Sequence, residues 1–79
     1  MTPKQKADEI FNHYHNLIHD IGGELGQEIL VSILARQCAK YAIGLVVKET
    51  LELSKEYSNN FIYIYWLRVQ EELEKIENL

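Results

Sequence analysis

A single cysteine, Cys38, leaves this chain without an intramolecular disulfide, and so without the framework that holds many small secreted domains together. Marks of common catalytic sites are missing too. No serine sits in a nucleophile elbow, and Gly22-Gly23-Glu24-Leu25-Gly26 has neither the lysine that follows a phosphate loop nor the strand that precedes a dinucleotide turn. An excess of cations is likewise lacking. Eight Lys and Arg against 12 Asp and Glu give a net charge of -4, which disfavours non-specific nucleic-acid binding but leaves room for a local basic pocket. Internal repeats and low-complexity segments are absent. No targeting segment is recognisable around Met1-Thr2-Pro3-Lys4, so a cytoplasmic location is expected.

What is present suits a folded helical chain. With 47% hydrophobic and 25% charged residues, the composition is that of a globular protein and not of a disordered one. The 79 residues amount to one domain, 1–79, below the size at which a single core comfortably outweighs conformational entropy. Since disulfides are excluded, self-association is the expected source of further stability.

Thr2, Pro3 and Gln5 form a capping-box start, and Ala7, Ile10, Phe11, Tyr14, Leu17, Ile18 and Ile21 follow one apolar helical stripe. Gly22-Gly23 is expected to end this helix as a left-handed cap, and Gly26 to be the last flexible point before the next. A long central helix is expected from about Glu24 or Gln27 to about Tyr57. It is apolar almost all round. One face holds Leu30, Val31, Leu34, Ala35, Cys38, Tyr41, Ala42, Leu45 and Val46 and reads as the core. The opposite face holds Ile29, Ile33, Arg36, Lys40, Ile43, Gly44 and Val47, and the small residues Ala39, Ala42 and Gly44 make it a candidate subunit contact.

Ser58-Asn59-Asn60 breaks the pattern. In the last segment, Ile62, Trp66, Val69, Leu73 and Ile76 form a helical stripe, Glu71 and Lys75 are spaced to pair, and Tyr63, Ile64 and Leu67 make a second apolar patch. The expected fold class is therefore all-α, a three-helix hairpin or bundle subunit with a long central helix, oligomeric because two helices carry surplus apolar surface. The run Leu30 to Val47 is long enough to suggest a membrane span, but Arg36 and Lys40 at its centre would each cost about 2.5–3.5 kcal/mol, which favours a multiply buried helix.

His15 and His19 have i,i+4 spacing, but this is half a metal site, with Asn16, Leu17 and Ile18 between them and no intervening glutamate. No metal or cofactor is expected. Cys38 lies inside a helix among apolar neighbours and is expected to be buried and inert, so no enzymatic activity is expected. The acidic run from Glu71 to Glu77 reads as a solvated helix face. Arg36 and Lys40 stand one turn apart on an apolar wall. They either reach solvent or pair with Glu28, Glu72 or Glu74, or else they line an anion pocket. In the pocket reading, Arg36, Lys40 and Arg68 hold phosphate, and Tyr41, Tyr63, Tyr65 or Trp66 stack on a base.

Thr2-Pro3-Lys4-Gln5-Lys6-Ala7, Gln37-Cys38-Ala39, and Tyr65-Trp66 followed by Val69, Glu72, Leu73 and Ile76 resemble a group of small proteins encoded by phages and prophages of gut Bacteroidales. That resemblance implies a setting in the cytoplasm of a host cell and an accessory, counter-defence role exercised by binding. The expectation is sequestration of an anionic small molecule, a nucleotide or cyclic nucleotide immune signal, at subunit interfaces. The alternatives are a protein-binding inhibitor or adaptor of a host defence protein, and a structural phage component.

Overall fold

The computed structural model describes residues 1–22 and 28–76, with side chains over 1–20 and 29–76. The first helix, α1, runs Pro3–Gly22, and its start is the expected capping box. The Gln5 amide donates to Thr2 Oγ1 at 3.1 Å and the Thr2 amide donates to Gln5 Oε1 at 2.9 Å, so orphan donors are satisfied in both directions. The second helix, α2, runs Glu28–Tyr57, and the third, α3, Phe61–Glu74. There is no strand among the described residues. The expected Gly22-Gly23 cap, the Gly26 joint and the pairing with Glu28 lie outside the described part.

Ser58 follows α2 with φ 55°, the left-handed region in which a helix ends, and its Cβ makes this conformation costly. Asn59 Oδ1 then accepts from the Phe61 amide at 3.1 Å, satisfying one of the first donors of α3.

The three helices touch one another pairwise. Lys40 meets Glu74, while Thr50 and Tyr57 share a cleft with Ile62, so α2 and α3 are antiparallel. Tyr65 Oη donates to the Met1 carbonyl at 3.1 Å, which fixes the start of α1 beside the second turn of α3. At about 1.5 Å per residue the 30 residues of α2 account for most of the 49 Å long axis, against a cross-section of 18 × 17 Å. The 20-residue α1 and 14-residue α3 are staggered along α2, so all three helices overlap only in the middle.

The core lies in that overlap. Ala7 and Phe11 from α1, Ala35, Ala39 and Ile43 from α2, and Val69 and Leu73 from α3 are buried together. Burying side chains the size of Ile43, Val69 and Leu73 contributes about 1.5–3 kcal/mol each. Ile10, Tyr14, Ile18, Val47, Tyr65, Trp66 and Ile76 pack around them. Thr50 is buried as well, and its hydroxyl donates within the helix to the carbonyls of Val46 at 2.9 Å and Val47 at 3.0 Å, leaving no orphaned polar group.

This arrangement divides the expected core face of α2: Val31 and Ala35 are buried as expected, but most of its larger residues are not. Leu30, Leu34, Cys38, Tyr41 and Leu45 were assigned to the core and are exposed, whereas Ala39 and Ile43, assigned elsewhere, are fully buried. The buried line of α2 is Val31, Ala35, Ala39 and Ile43, spaced four apart, and the last three pack with α1 and α3 in the core. Small side chains let helix backbones approach closely, so a helix apolar all round turns its alanine side, not its leucine side, to its neighbours. Ala39 is thereby packed inside the chain's own core and is not available for a subunit contact. Cys38 is accordingly exposed, not buried. Lys75 pairs with Glu72 at 3.4 Å instead of Glu71.

Candidate functional site

The two cations that make α2 unusual have different surroundings. Lys40 Nζ lies 3.8 Å from Glu74 Oε1, with both side chains more than half exposed. Arg36, one turn earlier, is partly buried and makes no ion pair or side-chain hydrogen bond among the described residues. Lys40 therefore follows the ion-pair alternative within one chain, and Arg36 has no counter-charge among the described side chains.

The other residues expected to join them are distributed over separate surfaces. Arg68 lines a cleft of about 270 Å³ with Thr2, Pro3, Lys4, Glu71, Glu72 and Lys75, on the side of α3 that meets the start of α1. Two of its cations already face carboxylates, since Lys4 pairs with Asp8 at 3.0 Å and Lys75 with Glu72. Tyr65 is edge-on to Trp66, with ring centroids 5.7 Å apart, and its hydroxyl is used on Met1. Trp66 lines a mainly apolar cleft of about 290 Å³ with Ile10, Tyr14, Ala42, Ile43 and Val46, in which Glu9 and His13 supply the polar edge. Tyr63 is partly buried on α3, and Tyr41 stands 70% exposed on the outside of α2. Within one chain, then, Arg36 and Lys40 are neighbours, as are Tyr65 and Trp66, but the seven residues do not converge on one pocket.

The histidine pair forms a ring contact. His15 and His19 lie nearly parallel with centroids 6.4 Å apart, and the described residues contain no group of three potential metal-ligating side chains.

Sequence reasoning underrated the elbow where α2 passes into α3. Leu53, Tyr57, Phe61 and Ile62 are all exposed there, and Thr50, Leu53, Tyr57, Asn59 and Ile62 line a cleft of about 280 Å³. The stagger of the helices explains it. Because α1 begins beside Tyr65, nothing in the described part covers the last turns of α2 and the first turn of α3. The signal was present in Tyr57 and Phe61, large apolar residues flanking a turn. At the other end α3 stops near Lys40, leaving Ile29 and Ile33 exposed beyond it.

By length and composition α2 is also long and apolar enough to cross a membrane, with a mean hydropathy of 1.5 over its most apolar window. Within the chain 28% of that window is buried, along the line of Val31, Ala35, Ala39 and Ile43, and its larger apolar side chains are exposed. No family model, curated protein or solved structure matches the chain, so no residue role is carried over from a relative.

Proposed function

We propose that this chain acts by binding and not by catalysis, as an accessory protein that occupies a surface of another protein through the elbow between α2 and α3. The observation that carries this reading is the elbow cleft itself, whose lining residues Leu53, Tyr57 and Ile62 are each more than half exposed, with Phe61, 81% exposed, next to Ile62 in the chain. Large apolar side chains on helices, grouped around a concavity, are the usual anchors of protein recognition. The resemblance to phage accessory proteins supplies the setting: an inhibitor or adaptor of a host defence protein in the host cytoplasm.

Arg36 favours a second reading. A partly buried guanidinium without a counter-ion among the described residues, one turn from Lys40, suits an anion such as a nucleotide. Because Tyr41, Arg68 and the Tyr63 to Trp66 aromatics lie on other surfaces, that ligand would be held where subunits meet, and the protein would work by sequestration.

One pair of measurements separates the two. A photo-crosslinking side chain at position 61 in host cells is expected to yield a light-dependent adduct with one host protein, absent when the probe stands at position 12, on the exposed side of α1. A melting screen against linear and cyclic nucleotides is expected to show no rise. If a nucleotide raises the melting temperature, and the double substitution Arg36→Met, Lys40→Met removes the rise, sequestration replaces protein binding.

A further inference from the structure

We infer that the outer face of α2 is the two-fold interface of a homodimer, in which α2 packs antiparallel on α2 of a second copy about an axis beside Cys38. This goes beyond the proposed function, which uses the elbow and not this face. Leu30, Leu34, Cys38, Tyr41 and Leu45 fall within an arc of about 80° on α2, and together they run for about 22 Å along it. None of them is buried by α1 or α3.

The order of these residues along the helix identifies the occupant. Turned end for end about a point between Gln37 and Cys38, the stripe falls on itself: Leu30 meets Leu45 of the partner subunit, Leu34 meets Tyr41 of the partner subunit, and the two copies of Cys38 lie beside the axis. An isologous contact requires this self-complementarity, and a surface shaped for an unrelated partner does not. The parallel alternative is unfavourable. It would stack Lys48 on Lys48 of the partner subunit and Glu52 on Glu52 of the partner subunit, since both continue the same arc beyond Leu45. The antiparallel arrangement carries these charges past the end of the apolar contact and also opposes the two helix dipoles.

The area is sufficient. The exposed parts of Leu30, Ile33, Leu34, Tyr41 and Leu45 come to on the order of 500 Å² of apolar surface, the larger share of the roughly 800 Å² that each partner buries in a stable interface. Gln37 and Cys38, exposed between them, extend the patch. A 79-residue chain whose buried core contains three alanines gains what its own core lacks by closing this face.

The single cysteine makes the arrangement directly testable, because any thiol crosslink joins two chains at a known place. The native protein is expected to sediment as a dimer at micromolar concentration, and a short bis-maleimide is expected to convert it to a covalent dimer through Cys38. Tyr41→Glu is expected to yield a monomer of undiminished helicity, because Tyr41 stands outside the core, while Phe61→Glu leaves the dimer intact. A native monomer would overturn the inference. So would a dimer that neither crosslinks through Cys38 nor responds to Tyr41→Glu, or a native chain that stays monomeric in water and associates through this face only with phospholipid vesicles. If Tyr41→Glu fails to fold, the crosslink on the native chain still decides.

Discussion

Lys40 on α2 reaches Glu74 in the last turn of α3 at 3.8 Å, so one of the two cations on the apolar central helix is answered within the chain itself. The pair marks the level at which α3 ends alongside α2. Arg36 lies just past that point, where α3 no longer supplies a carboxylate among the described residues.

Lys40→Met is expected to change stability by less than about 1 kcal/mol, because both partners are mostly in solvent and exposed pairs are worth little. Urea denaturation measures it. A loss several times larger would mean that the pair is shielded, for example by a second subunit.

Ala39→Leu is expected to destabilise the fold by about 1–3 kcal/mol or more, since Ala39 is completely buried where α2 meets its neighbours and extra methylenes would force them apart. Leu45→Ala, on the outer face, is expected to leave the protomer's own core untouched. Thermal unfolding at low protein concentration compares the two. Equal losses would contradict the assignment of the alanine seam to the core.

Gly44→Ala is expected to stabilise α2 by about 0.5–1 kcal/mol. Gly44 is well inside the helix, and a Cβ there meets nothing within 4 Å. Denaturant titration of the two proteins gives the difference directly, and a clear destabilisation would show that something packs on Gly44.

Ser58→Gly is expected to stabilise the α2 to α3 turn by about 1 kcal/mol, because Ser58 holds φ 55° with a Cβ that glycine lacks. The check is a higher denaturation midpoint with an unchanged circular dichroism spectrum. An unchanged midpoint would mean that the serine hydroxyl compensates for the backbone cost.

Several elements were readable in the residues. Thr2 and Gln5 announce a capping box by their spacing, and the box forms. The Ala7, Phe11 stripe and the Val69, Leu73 stripe have polar residues opposite them, so their buried faces follow from periodicity. Arg36 and Lys40 were recognised as cations in need of partners, and the Glu74 alternative for Lys40 is found. The collection of Arg36, Lys40, Arg68 and the aromatics into one set was composition and not geometry. Arg68 and Trp66 line separate clefts.

By itself the sequence determined that the described residues form three helices, where α1 and α3 begin, and which sides of those two helices are apolar, because caps and amphipathic periodicity are local properties of the chain. It could not determine which side of α2 is the inside. A helix apolar on every face has no periodicity to read, and the choice falls to the neighbours, which settle where backbones come closest, on Ala35 and Ala39. Only the tertiary structure decided that, and with it that Leu30, Leu34, Tyr41 and Leu45 of α2 face outward, uncovered by α1 and α3.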